Sequence, residues 1–371
     1  MEASVKLGRV LGIPVGLHTS WFLIFGLVTW SLAMGYFPAE YPSLPPAAYW
    51  GLGAMTSLLF FGSVLVHELS HSVVAIRQGI PVRGITLFIF GGVAQIGHEP
   101  PNAGAEFRIA VAGPLASLGL SLGFGGLWLL DRAIPYLAAP SVWLLRINLL
   151  LAAFNLIPGF PLDGGRVLRA IVWKVTGDFQ RATRAATFMG QLIAFGFVGI
   201  GLFRMVSGSF FDGLWLAFIG WFLQNAAAST YAQANLQQSL RDVTVSQVMT
   251  RDCPLVPSRM SVGQLIEEQI LTGGRRCFIV ADEDRLRGVL TLTDVARVPK
   301  DEWSQTPLEQ VMKPWERTVQ VRPETALLTA LQTMDDANVN QLPVIQSGKM
   351  VGMLSREQLL HYLRARAELG V

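Results

Sequence analysis

Residues 64–76 read VLVHELSHSVVAI, a stretch that places two histidines and a glutamate inside an otherwise apolar run. The run is part of a longer apolar segment, 48–76, whose length exceeds the roughly 17–25 residues that a membrane-spanning helix needs. An ionisable side chain at the centre of a bilayer costs on the order of 2.5–3.5 kcal/mol even on lenient insertion scales. Three such groups without partners would be hard to insert, so the stretch predicts a membrane helix with a metal site.

The composition of the whole chain supports a membrane protein. Of 371 residues, 51% are hydrophobic and 15% are charged, whereas a soluble domain carries about 25% charged residues. Charged residues become frequent after about residue 238, which predicts a membrane domain at 1–237 followed by a soluble part. The net charge of +3 gives no indication of nucleic-acid binding. With two cysteines, Cys253 and Cys277, the chain indicates neither a disulfide scaffold nor a cysteine-based zinc site.

The first part contains six candidate membrane spans and one candidate hairpin. The predicted spans are 16–36, 48–76, 107–130, 141–158, 184–205 and 210–232. Between the second and third spans, GITLFIFGGVAQIG (84–97) places β-branched and aromatic residues around a Gly-Gly pair, which predicts a membrane-associated β-hairpin. The N-terminal stretch has no clear cleavage site after its apolar run, so we expect a retained helix there.

Lysine and arginine are distributed unevenly between the two sets of loops. The poorer set holds Arg132, Arg204 and Arg146. The richer set consists of Lys6, Arg9, Arg77, Arg83, Arg108, Arg166, Arg169, Lys174, Arg181, Arg184 and Arg241. Because basic loops stay on the cytoplasmic side, we expect both termini in the cytoplasm and the chain in the plasma membrane.

His67 and His71 are four residues apart and therefore share one face of a helix. Neutral imidazole is a good zinc ligand, and a glutamate beside the first ligand can take a proton from water at the metal and pass it to a leaving amine. This is the chemistry of the H-E-x-x-H pattern. A catalytic zinc site needs a third protein ligand, for which Asp163 is the best candidate, with His18 and His98 as alternatives.

The two membrane motifs together resemble the site-2 proteases, a family of intramembrane zinc metalloproteases. H-E-L-S-H lies in one span and N-L-I-P-G-F-P-L-D-G (155–164) follows another. The resemblance implies one Zn²⁺ bound by His67, His71 and Asp163, with Glu68 as the general base. It also implies that Asn155 orients the substrate backbone or stabilises the oxyanion.

FIFGGVAQ (88–95) is similar to the membrane-embedded hairpin that lies beside the active site in that family. An exposed strand edge at Gly91, Gly92 and Val93 could bind an unwound substrate by strand addition. The family also has an equivalent of AGPLAS (112–117), whose small residues we interpret as helix-packing positions.

The second part repeats itself with an offset of about 63 residues. VSQVMTRDCPLV (245–256) matches LEQVMKPWERTV (308–319), and RLRGVLTLTDV (285–295) matches KMVGMLSREQL (349–359). The repeats resemble a pair of CBS domains, at 245–303 and 304–371. This implies an adenine nucleotide site in which Asp294 holds the ribose, and a homodimer formed through these domains. The second repeat has Gln358 in place of the aspartate.

The predicted fold is an α-helical polytopic membrane protein of about six transmembrane helices plus a soluble α/β CBS pair. We expect an intramembrane zinc endopeptidase that cleaves single-span membrane proteins in the lipid bilayer, with regulation by the CBS pair. The alternative is a CBS-gated metal ion transporter, and a third hypothesis is a catalytically silent scaffold. Against transport, the ionisable residues cluster at one depth and do not line a complete path.

Overall fold

The computed structural model describes residues 4–369 except 98, 131, 242, 274, 276, 284 and 348. The chain divides into two compact units, Met1–Ala234 and Asn235–Val371. The boundaries drawn above for one membrane domain and two CBS domains stay predictions.

The first unit is mostly helical. Its helices are α1 (Thr19–Ser31), α2 (Phe37–Glu40), α3 (Pro46–Arg77), α4 (Ala103–Leu130), α5 (Pro135–Asn155), α6 (Asp163–Thr176), α7 (Phe179–Val206) and α8 (Phe210–Arg241). A π-helical turn, Leu32–Tyr36, makes α1 and α2 continuous. Among the described residues, five helices are long and apolar enough to cross a membrane: Thr19–Glu40, α3, α4, α5 and α7. The sixth predicted span, 210–232, lies in α8, which is not one of these five.

A four-stranded sheet accompanies these helices in the order β1-β2-β3-β4. The strands are β1 (Val5–Val10), β2 (Ile13–Leu17), β3 (Val82–Phe88) and β4 (Gly91–Ile96). The predicted hairpin is present as β3 and β4, which pair antiparallel. The first two strands were not predicted, and the helix of the first predicted span, about 16–36, begins slightly later than that span does. Leu11 and Gly12 have positive φ and turn the chain back on itself, so helix α1 begins only at Thr19.

Helix α4 packs against α3, α5 and α6. Its buried positions are mostly small residues, including Ala105, Ala110, Gly113 and Ser117. Small side chains let the neighbouring helix backbones approach closely, as they do in other membrane proteins. Helices α5 and α6, which are joined by the loop between Asn155 and Asp163, therefore both pack against α4.

The second unit contains the two repeats. Its helices are α9 (Val245–Val248), α10 (Val262–Leu265, continued by the π-helical Ile266–Leu271), α11 (Leu292–Val295), α12 (Leu308–Val311), α13 (Leu327–Asp336) and α14 (Arg356–Leu369). Its strands are β5 (Leu255–Val256), β6 (Cys277–Asp282), β7 (Arg285–Thr291), β8 (Lys313–Pro314), β9 (Gln341–Gln346) and β10 (Lys349–Ser355). The sheets run β5-β6-β7-β8 and β10-β9, and short 3-10 turns lie at Lys300–Glu302 and Trp315–Arg317.

A disulfide joins Cys253 to Cys277 in this unit, with their Cα atoms 5.5 Å apart. The bond links the segment before β5 to the start of β6, two neighbouring strands of one sheet. The sequence, read as having no disulfide scaffold, did not predict it. A separation of 24 residues does not by itself predict that two cysteines pair. The pairing follows from the folded sheet, in which β5, just after Cys253, lies beside β6, which begins at Cys277.

Candidate active site

His67, His71 and Asp163 meet at one point between α3 and the start of α6. The Nε2 atoms of the two histidines are each 3.1 Å from Oδ2 of Asp163 and 3.2 Å from each other. The i, i+4 spacing on α3 places both rings on the same face of the helix. Asp163, the first residue of α6, reaches them from the other side of the site. All three candidate ligands named from the sequence are therefore brought together.

The donor set fits a zinc ion. Ligand atoms held tetrahedrally at about 2.0–2.1 Å from zinc lie about 3.3 Å from one another, close to the separations here. His71 donates its Nδ1 hydrogen to the carbonyl oxygen of Ile109 at 2.6 Å, so in the neutral ring Nε2 offers a lone pair to the site. A lone pair facing a carboxylate oxygen at 3.1 Å needs either a proton or a metal cation between the two atoms. These atoms would hold the metal, with room for a further ligand.

Helix α4 supplies the contacts that orient both imidazole rings. Ser117 Oγ lies 2.9 Å from Nδ1 of His67, and the Ile109 carbonyl accepts from His71. Such outer partners fix the tautomer and orientation of metal-binding histidines. Gly113 lies between these two contacts, where a Cβ atom would come 2.2 Å from His71 Nε2 and 2.6 Å from His67 Nε2. This role of Gly113 was not predicted from the sequence, where the small residues of AGPLAS were interpreted as helix-packing positions.

Glu68 lies beside the candidate metal ligands and against strand β4. A Cβ atom on Gly92 would come 2.5 Å from Cγ of Glu68, so the bare glycine backbone lets the strand approach the glutamate. Glu68 and Gly92 both line one cavity of about 550 Å³. A carboxylate in this position can exchange a proton with a water in the cavity.

The residues predicted to bind the substrate line the same cavity. Besides the metal-binding residues and Glu68, it is lined by Asn155, Gly91, Gly92, Val93 and Arg166. Asn155 closes α5 and donates one Nδ2 hydrogen to the carbonyl of Leu151 at 3.1 Å. An amide nitrogen carries two hydrogens, so this capping bond leaves a second donor. β4 is the last strand of its sheet, so one of its edges faces away from β3.

A buried ion pair holds α6 to α4 behind the cavity. Glu106 is fully buried and accepts from Nε of Arg169 at 2.9 Å and from its Nη2. Arg166 contributes a second guanidinium, with Nε 3.6 Å from Oε1 of Glu106. The Arg169 guanidinium also lies over the rings of Phe160 and Phe179. Asp163 begins the helix that this network anchors, so we infer that Glu106 and Arg169 position the third ligand.

His18, one of the two alternative ligands, is not part of this cluster. His18 caps α1 through Nδ1, which accepts from the backbone N–H of Ser20 at 3.2 Å. His98 lies outside the described residues. Within the described part of the chain, the group of His67, His71 and Asp163 is the one that could hold a metal ion.

In the described part of the second unit, one cavity lies beside Asp294 and another beside Gln358, the equivalent positions of the two repeats. Asp294 is buried and accepts from the backbone N–H and the hydroxyl of Thr291 at 3.1 and 2.7 Å, and its cavity measures about 170 Å³. Gln358 accepts from the backbone N–H of Ser355 at 2.9 Å, and its cavity measures about 690 Å³. Both residues therefore cap the helix that follows the last strand of their repeat. Cavities for small molecules usually measure about 300–1,000 Å³, which favours the one beside Gln358.

Known proteins resemble this chain in both parts. The model of peptidase family M50 matches residues 55–131 and 132–197, and that of the CBS domain matches 245–301 and 308–365. A protein of Synechocystis sp. named as a zinc metalloprotease is 35% identical over 99% of this chain and 97% of its own length. Rip3 of Mycobacterium tuberculosis, also named as a zinc metalloprotease, is 36% identical over 95% of this chain and 90% of its own length.

Among solved structures, the site-2 protease from Methanocaldococcus jannaschii is 30% identical, with a TM-score of 0.42. The match covers 61% of this chain and 94% of that one. This chain is 35% identical to a zinc metalloprotease over 99% of its length. It is therefore an integral membrane zinc metalloprotease of peptidase family M50, the site-2 protease family, and it carries a tandem pair of CBS domains.

Proposed function

We propose that this metalloprotease cleaves single-span membrane proteins within or near the cytoplasmic half of their transmembrane helix. The observation that carries the proposal is a single cavity, in a unit rich in membrane-capable helices, that contains the metal-binding residues, Glu68, Asn155 and a free strand edge. Cleavage at that depth would release a cytoplasmic fragment able to act as a signal.

The chemistry divides between the metal and the protein's own groups. A zinc ion held by His67, His71 and Asp163 supplies Lewis acidity for the scissile carbonyl and for water. Glu68 takes the proton from the attacking water and returns it to the leaving amine. The second Nδ2 hydrogen of Asn155 is a donor for the substrate backbone or for the charge that develops on the carbonyl oxygen.

A helical substrate cannot be cut directly, because its backbone amides are locked in hydrogen bonds and its carbonyls are shielded. It must unwind into an extended segment, whose backbone groups then need partners in a water-poor environment. The free edge of β4 at Gly91–Val93 can supply them by adding the substrate as a further strand. The bare backbone of Gly92 lets β4 itself lie against Glu68, so a segment bound at this edge would lie near the general base.

The central test compares Glu68→Gln with Glu40→Gln in proteoliposomes that contain a single-span substrate. Glu40 is an exposed glutamate of α2 that does not line the cavity, so its variant is a matched control. We expect Glu68→Gln to bind zinc like the wild type and to lose cleavage, because the ligands remain and the base is gone. Cleavage at the wild-type rate by Glu68→Gln would refute the role of Glu68.

Family membership favours proteolysis over the alternative of a CBS-gated metal ion transporter. The position of the ionisable groups agrees with this, since they converge on one cavity. A zinc flux assay on the same proteoliposomes separates the two activities. Zinc flux that persists in the absence of any cleaved product would support transport.

We propose that both termini lie in the cytoplasm, on the distribution of the basic residues, and that the membrane is the plasma membrane. Fusions of a reporter that is active on one side of the membrane, made at the N-terminus and at the C-terminus, test this. Both fusions should report the cytoplasm. A periplasmic or extracellular signal from either one would contradict the orientation.

We further propose that the CBS pair binds an adenine nucleotide and regulates cleavage, and that it forms a homodimer. The two cavities support a ligand, with Asp294 beside the smaller one and Arg275 beside the larger. Calorimetry with ATP and AMP on the wild type, Asp294→Asn and Arg275→Gln locates the site by the variant that loses binding. If the wild type binds neither nucleotide, regulation by adenine nucleotides is refuted. If light scattering gives the mass of a monomer, the homodimer is refuted.

A further inference from the structure

A second large cavity of the membrane unit lies on the outer surface of the α3–α4 pair. This groove, which we call the α3–α4 groove, has a volume of about 790 Å³ and runs along α3 from Val66 to Arg77 and along α4 from Arg108 to Leu115. The α3 segment corresponds to a length of about 16 Å. None of the metal-binding residues lines it.

The groove is polar at one end. Arg77 closes α3 and Arg108 lies in the first turns of α4, and both side chains are exposed. Arg108 donates from Nη2 to Oε1 of Gln78 at 2.8 Å, which holds it at the mouth of the groove. Within the part of the chain that the structure describes, neither arginine forms an ion pair. Among the described residues that line the groove none is acidic, so two positive charges at its mouth have no counter-charge there.

Beyond this end the lining is apolar. Valine, leucine and alanine side chains of the two helices form the floor, and the hydroxyl of Ser70 is turned back to the carbonyl of Val66 at 2.7 Å. Leu11, at the tip of the β1–β2 hairpin, also lines the groove and is 74% exposed. A leucine so exposed at a hairpin tip is well placed to contact an acyl chain.

We propose that the α3–α4 groove is a binding site for one anionic phospholipid. The phosphate binds Arg77 and Arg108, and one acyl chain lies along α3 and α4 beneath Leu11. Charge complementarity selects this occupant, because two cationic groups without a counter-charge at the end of an apolar groove match an anionic headgroup and its acyl chain. Basic pockets between transmembrane helices on the cytoplasmic side recognise anionic headgroups in this way.

Native mass spectrometry of the full-length chain in detergent, titrated with phosphatidylglycerol or with phosphatidylcholine of the same acyl chains, tests the proposal. We expect the wild type to retain phosphatidylglycerol preferentially. A basic side chain near an anionic headgroup contributes about fivefold to binding. The double variant Arg77→Gln/Arg108→Gln should therefore retain phosphatidylglycerol about 25-fold more weakly.

Two further variants separate charge from shape. Arg181→Gln/Arg184→Gln removes the same charge from two exposed arginines of α7 that do not line the groove, and it should bind the lipid like the wild type. Val73→Trp keeps both arginines but fills the apolar floor, and it should weaken both lipids alike. Zinc content and elution volume report whether each variant is folded.

The proposal is overturned if the wild type retains both lipids equally, or if the two double arginine variants lose phosphatidylglycerol to the same extent. It is also overturned if the free wild type is a dimer that Val73→Trp converts to a monomer, since a second copy would then cover the groove.

Discussion

Replacing Gly113 by alanine places one methyl group against the two imidazole rings that would bind the metal. The new Cβ atom would lie 2.2 Å from Nε2 of His71 and 2.6 Å from Nε2 of His67, whereas ordinary contacts begin at 3.4 Å. Either the rings or the α4 backbone must therefore move by about 1 Å. Metal–ligand distances tolerate changes of only about 0.2 Å, so the site cannot absorb this movement.

The expected result is a large loss of zinc affinity. If the rings move, the ligand atoms leave their common point. If α4 moves, the hydrogen bond between His71 and the carbonyl of Ile109 and the contact between His67 and Ser117 are stretched. Loss of such outer contacts alone lowers metal affinity by about 10–100-fold. We expect Gly113→Ala to reach at least the upper end of that range and to lose cleavage in parallel.

Gly119→Ala is the matched control, because Gly119 lies on the same helix and a Cβ atom there would meet nothing within 4 Å. Both substitutions add the same methyl group, and each raises intrinsic helix stability by roughly 0.5–1 kcal/mol. Zinc affinity is measured by competition with a chelator of known affinity, followed by metal analysis of the protein, and cleavage is measured in proteoliposomes. If Gly113→Ala binds zinc as tightly as Gly119→Ala, the assignment of the metal position is refuted.

Further substitutions test the other parts of the structure. Asp163→Asn should lower zinc retention, because the neutral amide is a weaker ligand. Unchanged metal content would show that the third ligand is another residue. Glu106→Gln leaves the buried guanidinium of Arg169 without its counter-charge and should lower the free energy of unfolding by about 3 kcal/mol, read as a lower unfolding temperature. The same variant should weaken zinc binding, and full retention of zinc would show that the ion pair does not position Asp163. Asn155→Leu should lower the cleavage rate and leave zinc content unchanged. An unaltered rate would show that Asn155 only caps its helix. Leu342→Ala, in the core of the CBS pair, should cost about 2–5 kcal/mol in the stability of that unit, measured by chemical denaturation, without loss of zinc from the first unit.

Much of this protein could be predicted from local sequence patterns. The length and apolarity of the runs predict helices that can cross a membrane, and the i, i+4 spacing places His67 and His71 on one face of α3. The glycine pair between two β-branched runs predicts the β3–β4 hairpin. These predictions depend on the period of a single element or on its composition, and the fold class and the family inferred from them are confirmed.

The contacts that complete the candidate site were decided by the tertiary structure. Ser117, Ile109 and Gly113 act on rings that are about 40–50 residues away in the chain. The sequence does not indicate which face of α4 meets α3, because after Glu106 and Arg108 in its first turns the helix is apolar or small on all sides. The anchoring of α6 by Glu106 likewise depends on two helices being packed together.

The same limit explains what the sequence did not reveal elsewhere. The pairing of Cys253 with Cys277 follows from the adjacency of their strands. The larger cavity of the CBS pair lies beside Gln358 and not beside Asp294, although both residues cap their helix in the same way. Sequence spacing determines which side chains share a face of one helix or strand. Which faces then meet depends on how whole elements pack, and that is a property of the folded chain.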